Sequence, residues 1–138
     1  MAGTFTLRVV SPEGQVVKEE VEFAVLPGES GELGILPNHA PLIAGLQVGV
    51  MRYTANSSVR KLAISGGFVE VGDNKATVLA DTAEPGDMID LARALAAKER
   101  AEKRLSQRTP EVDVRRAEYA LRKAVARINA AEGDAGRR

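Results

Sequence analysis

Apolar and polar residues alternate at the start of the chain, with Phe5, Leu7 and Val9 on one side and Thr4, Thr6 and Arg8 on the other. The same period recurs at 21–25, where Val21, Phe23 and Val25 oppose Glu22 and Ala24. A period of two places alternate side chains on opposite faces of an extended backbone, so both segments are predicted to be half-buried strands. Two hairpin patterns follow. Segments 48–54 and 59–65 flank Asn56-Ser57-Ser58, and segments 68–71 and 76–80 flank Gly72-Asp73-Asn74, residues that tolerate the positive φ of a tight turn. Many short strands with regular turn signals indicate an antiparallel sandwich or a flattened barrel.

Beyond residue 87 the period changes. Asp87 is placed to cap a helix starting near Met88, and 88–106 is alanine-rich and free of Gly and Pro. "SQRTPE" interrupts this stretch, with Thr109 as the expected second N-cap and Pro110 at the first helical position, where its missing N–H costs nothing. The second helix is expected to reach about Ala131 and to stop at Gly133. A short connection between two helices makes an antiparallel hairpin. The expected architecture is therefore an N-terminal antiparallel β-sandwich over residues 1–87, followed by a C-terminal antiparallel two-helix hairpin over 88–138 whose last residues are disordered.

The hairpin's apolar content is uneven. The second helix carries Val114, Ala117, Leu121, Ala124, Val125 and Ile128 at three- and four-residue spacing. In the first helix Leu91, Leu95 and Leu105 share a face with Lys98 and Glu102. Burying a large aliphatic side chain is worth ~1.5–3 kcal/mol and an alanine much less, so docking is predicted to be marginal. Strong helicity with weak mutual packing suits helices that separate and re-dock, although a plain surface hairpin has the same pattern.

The net charge of zero hides an asymmetry: six basic residues face eleven acidic ones up to Asp87, and thirteen face eight beyond it. The C-terminal part is thus the natural place to meet an anionic partner. No apolar run approaches roughly twenty residues and "MAGTFTLRVV" does not read as a signal peptide, which points to a cytoplasmic protein. The chain has no cysteine, which excludes disulfides, thiolate metal sites and a cysteine nucleophile. "PGESGELG" lacks the Lys-Ser/Thr of a P-loop, "SGG" at 65–67 lacks the Gly-x-Ser-x-Gly of a nucleophile elbow, and the single histidine, His39, has no partner placed by motif. No catalytic residue and no metal site is predicted. Tyr119 is the one aromatic residue of the basic region, and acids interleave its cations in "KERAEKR", so nucleic acid is not the expected partner.

"SGELGILPNHAPLIAGL" at 30–46, then "AISGGFVEV" at 63–71 and an alanine-rich hairpin, resemble the family of epsilon subunits of bacterial F-type ATP synthases, over nearly the whole chain and in the same order. The resemblance implies a non-catalytic subunit of the central rotor stalk, peripheral at the cytoplasmic face of the cell membrane. Its partners are then the gamma subunit, the membrane c-ring and the alpha/beta catalytic subunits, and no cofactor is required. It implies that Ser30, Gly31 and Glu32 meet the c-ring, and that Asn38, His39, Ala40 and Pro41 meet gamma. It also implies helices that restrain ATP hydrolysis, for which Arg104, Arg115, Arg116 and Arg122 are the expected contacts with an acidic catalytic loop. The alternative reading is a stand-alone sandwich module whose basic hairpin binds an acidic protein or nucleic acid.

Some members of that family bind ATP through Ile or Leu, Asp, two variable residues, Arg and Ala, which Ile89, Asp90, Arg93 and Ala94 match with Leu91 and Ala92 between them. On a helical wheel Asp90, Arg93, Ala97, Arg100 and Arg104 share a face, and small Ala97 leaves space beside the arginines. Guanidinium forks suit phosphate oxygens, and a carboxylate accepts hydrogen bonds from an adenine amine or ribose hydroxyls. Glu84, Arg100 and Arg127 match further positions of that site, whereas Lys123 stands where an arginine is expected and lacks its bidentate fork. ATP is expected as a regulatory ligand, with Mg not essential. The bland reading of Asp90 and Arg93 is a helix-opening ion pair worth ~0.2–0.5 kcal/mol.

Overall fold

The computed structural model describes residues 3–107 and 112–132. Eight strands come first: β1 (Phe5–Ser11), β2 (Gly14–Val21), β3 (Phe23–Gly28), β4 (Gly31–Ile35), β5 (Leu42–Ala55), β6 (Ser58–Gly72), β7 (Lys75–Ala80) and β8 (Ala83–Pro85). Two helices follow, α1 (Leu91–Gln107) and α2 (Val114–Ala131). The strands form one folded sheet in the order β2-β1-β7-β6-β5-β3-β4, with β8 paired to β6. The pairs are antiparallel except β1 with β7, which is parallel.

Both hairpin turns form where the sequence marks them. Asn56 and Ser57 have φ of 52° and 65°, and Asp73 and Asn74 of 51° and 58°. Two successive left-handed residues give the turn whose twist matches that of its flanking strands. The segment 21–25 is not one strand, however. Val21 ends β2 and Phe23 begins β3, and beyond this break the alternation is lost: Ala24, Val25 and Leu26 are all buried while Phe23 is 38% exposed.

Strands β5 and β6 belong to both layers. They pair along their length, from Leu42 opposite Val71 to Ala55 opposite Ser58. One edge of β6 serves two neighbours, β7 through residues 67–72 and β8 through 62–64. The change occurs at Gly66 and Gly67, whose φ of 108° and 118° side chains rarely adopt. A Cβ on Gly67 would lie 2.0 Å from the Leu79 carbonyl oxygen. Between the layers Phe5, Leu7, Val9, Val21, Leu26, Ile35, Met51, Leu62, Ile64, Val69 and Val78 are fully buried.

The helix starts differ from the sequence expectation. Residues Gly86–Met88 make a single 3₁₀ turn and α1 begins at Leu91, because the Asp90 carboxylate accepts from the Arg93 N–H at 3.1 Å and is the cap. Asp87 instead pairs with Arg60 at 2.9 Å. The second helix begins at Val114, with Asp113 accepting from the Arg116 N–H at 3.0 Å. Thr109, Pro110, Gly133 and the remaining C-terminal residues lie outside the described residues.

Alanine dominates the helix packing. In α1 Ala94 and Ala101 are buried, and in α2 Ala117, Ala124, Ala126, Ala130 and Ala131. The expected Leu95 and Glu102 face solvent, as does Val125, whereas Lys98 is half-buried. Helix α2 packs on α1 and also on β5 and β6, while the main contacts of α1 are with α2. Ala126, Ala130 and Ala131 join Ala63, Ile89 and Ala94 in a second small core, with Val48, Val50, Leu91 and Ile128 around it.

Replacing Gly67 by Ala is expected to destabilise the sandwich by ~2 kcal/mol or more, since both the φ and the Leu79 carbonyl oppose a Cβ. Gly72→Ala, where a Cβ meets nothing within 4 Å, is expected to change stability by less than ~1 kcal/mol. Urea denaturation midpoints of the two variants check the contrast.

Candidate functional site

The sequence motif at 89–94 folds into the base of the hairpin, and its residues divide by role. Ile89 is 3% exposed and Ala94 is fully buried, so both are packing groups of the second core. The Asp90 carboxylate contacts the backbone of Arg93, in place of the ion pair with its guanidinium that the sequence suggests. This leaves the Arg93 side chain exposed, together with Arg100 about two turns further on.

A second group gathers where α2 crosses β6 and β8. Arg127 Nε lies 2.8 Å from Glu84 Oε1, and Nη2 donates to Oε2 at 3.3 Å, giving an ion pair with one hydrogen bond between helix and sandwich. Tyr119 Oη donates to the Ser65 carbonyl at 3.3 Å, and the Arg122 and Lys123 charges stand 6.0 and 5.6 Å from the Tyr119 ring. Glu84, Lys123 and Arg127 line a cleft of about 320 Å³ together with Ser11, Glu13, Asp81 and Thr82. Among the predicted ligand residues the structure thus brings Glu84, Lys123 and Arg127 together. Asp90, Arg93 and Arg100 do not line that cleft.

The predicted interface loops occupy opposite ends of β4. Ser30, Gly31 and Glu32 form the tip of the β3–β4 hairpin, and Glu32 is held by Arg52 at 3.1 Å. Asn38 has φ of 61°, and its N–H donates to Asn74 Oδ1 at 2.8 Å, while Asn74 Nδ2 donates to the Thr4 carbonyl. His39 Nδ1 lies 2.7 Å from the Ala40 carbonyl oxygen. These bonds fix the loop 38–41 against the β6–β7 turn. Beside it lies an apolar surface that sequence reasoning missed: Leu36 and Ile43 are 58% and 72% exposed, and Phe68, opposite Leu79 in the β6–β7 ladder, is exposed as well. The signal was present, because Phe68 and Leu79 stand out of phase with the buried Val69, Val71 and Val78.

The basic residues also separate. Arg104 ends α1, and Arg115 and Arg116 open α2, so all three cluster near the connecting end of the hairpin, exposed. Arg122 lies apart over Tyr119, beside a groove of about 500 Å³ between α2 and the β3–β5 surface. Among the described residues no three His, Asp or Glu side chains are grouped to hold a metal.

Comparison with known proteins adds to this geometry. Residues 4–86 match the family model described as "ATP synthase, Delta/Epsilon chain, beta-sandwich domain", and residues 87–132 match "ATP synthase, Delta/Epsilon chain, long alpha-helix domain". The chain is 74% identical over 131 residues to the ATP synthase epsilon chain of Desulfitobacterium hafniense (strain Y51), covering 95% of this chain and 98% of the relative. It is 54% identical to that of Desulforamulus reducens over 96% of this chain and 100% of the relative. Among solved structures, a chain in the cryo-EM structure of the Euglena gracilis mitochondrial ATP synthase OSCP/F1/c-ring shares the fold. Its TM-score is 0.78 at 22% identity, covering 91% of this chain and 80% of that one.

The capping role of Asp90 distinguishes two conservative substitutions. Asp90→Asn keeps the acceptor and is expected to leave thermal stability within ~0.5 kcal/mol, whereas Asp90→Ala is expected to lose ~1 kcal/mol. Equal losses in thermal unfolding would point to the carboxylate charge rather than the cap.

Proposed function

The chain belongs to the ATP synthase epsilon chain family, and on that premise we propose that it is a non-catalytic subunit of the rotor stalk. In this reading the sandwich grips the gamma subunit and the c-ring and carries rotation toward the alpha/beta catalytic head, at the cytoplasmic face of the membrane. The observation that carries it is the family match across both the sandwich and the helices. The loop 38–41 supports a gamma contact, being held rigid by Asn74 next to the exposed Ile43 and Phe68. The β3–β4 tip, with Ser30, Gly31 and Glu32 exposed, suits polar contacts with the ring.

The helices supply the second half of the proposal, restraint of ATP hydrolysis. The exposed cluster of Arg104, Arg115 and Arg116 at the far end of the hairpin suits an acidic surface of the catalytic subunits. In the docked state the hairpin is held to the sandwich largely by alanines, one tyrosine hydrogen bond and the Glu84–Arg127 pair. An anion that bridges the two helices would favour this docked state.

ATP is the proposed regulatory ligand. At roughly 100° per residue, Arg93, Ala97 and Arg100 fall on the flank of α1 that, in an antiparallel pair, lies on the same side as Lys123 and Arg127 of α2. Arginines of both helices thus border one flank, with Glu84 below. Asp90 then acts by fixing the helix start beneath Arg93 while its second carboxylate oxygen remains an acceptor.

Two experiments check these assignments. Reconstituting the catalytic complex with the whole chain and with a chain ending at Asp87 is expected to show slower ATP hydrolysis only with the whole chain; equal rates would remove the inhibitory role. The isolated protein is expected to gain thermal stability with ATP, about 2.7 kcal/mol at a hundred times Kd, and to lose that gain in Arg93→Ala. An undiminished shift in that variant would place the nucleotide elsewhere.

A further inference from the structure

The two helices meet along a seam with a three-four repeat. In α1 residues 91, 94, 98, 101 and 105 are buried or half-buried, and in α2 residues 114, 117, 121, 124, 128 and 131 are. These are heptad seams, with alanine at alternate seam positions of each: Ala94 and Ala101 against Ala117, Ala124 and Ala131. The remaining positions carry Leu91, Leu105, Val114, Leu121 and Ile128, all apolar, with one exception, Lys98. Lys98 thus lies between Ala94 and Ala101 along the α1 seam.

Lys98 is half-buried where its flanking residues Glu99 and Glu102 are exposed. Among the described residues it forms no ion pair or side-chain hydrogen bond, in a protein that pairs Arg52, Arg60 and Arg127 with carboxylates. Its aliphatic stem covers the seam while its ammonium must reach water past the edge. Closing the seam therefore costs desolvation and rotamer freedom at the one seam position of α1 that is not apolar. Neighbouring alanine layers bring the helices close but bury little area, so they do not offset that cost.

We propose that Lys98 is a built-in weak layer that keeps α1 and α2 separable, setting how readily the hairpin opens. The proposal concerns the isolated chain and stands whether or not the helices inhibit a partner or bind ATP.

The test is hydrogen exchange on the full-length protein, comparing wild type, Lys98→Met and, as an exposed control on the same helix, Lys103→Met. Methionine keeps the stem and removes the charge. Amides of α1 and of the facing part of α2 are expected to exchange roughly tenfold more slowly in Lys98→Met, with those of the sandwich core unchanged. Lys103→Met is expected to match wild type. Unchanged or faster helix exchange in Lys98→Met, or equal slowing in both variants, would overturn the proposal. Lys98→Leu provides a second reading of the same layer and is expected to slow exchange at least as much.

Discussion

The burial of three alanines, Ala126, Ala130 and Ala131, against the outer surface of β5 and β6 is the contact on which the two halves of the molecule depend. Helix α2 has two faces to cover, one toward the sheet and one toward α1, and small side chains let it approach both. Helix α1 leans mainly on α2. Its release from the sandwich and that of α2 are thus linked: a helix of seventeen residues joined by a short connection does not travel far while its neighbour stays docked. The position of the helical half therefore reduces to the holding of one helix, and the Glu84–Arg127 and Tyr119–Ser65 contacts are its polar anchors.

The sequence made the sandwich legible through alternation and turn chemistry, because both depend on local geometry. Asn56-Ser57 and Asp73-Asn74 turn where expected, and Phe5, Leu7 and Val9 point inward. It failed at 21–25 because a corner separates β2 from β3 and the alternation is lost beyond it: Val21 and Val25 are buried as expected, but Phe23 is exposed and Ala24 is buried. The parallel pairing of β1 with β7 was invisible for a different reason: it joins residues about seventy apart, and no local pattern encodes it. Helix existence and the end at Ala131 were legible. The caps were not: Asp87 and Asp90 are equally good capping residues for α1, and the tertiary pairing of Asp87 with Arg60 leaves Asp90 in that role.

The site was legible as residue types but not as an arrangement. Glu84, Lys123 and Arg127 come from a strand and a helix that sequence spacing does not relate, and the structure joins them in one cleft. Asp90 and Arg93 looked like a pair of charges and are a cap with a freed side chain. Leu95 and Val125, expected on the packed faces, are exposed; Ala117 and Ala124 are buried as their spacing indicates, while Ala126, Ala130 and Ala131, outside the expected stripe, pack against the sheet because α2 has a second face to cover.

The parallel ladder of β1 and β7 has a consequence for how the molecule is made. Thr6 through Val10 pair with Lys75 through Leu79, so β1 is an interior strand of the sheet with β2 on its far side. During synthesis the first hairpin, complete at Val21, emerges with one of its two edges open, and that edge is filled only when β7 begins at Lys75. Asn74 then closes the ring, bonding both Thr4 and Asn38 from its single side chain. The sandwich is thus completed late in its own translation, and a chain stalled before residue 75 presents an unfilled strand edge to whatever is nearby.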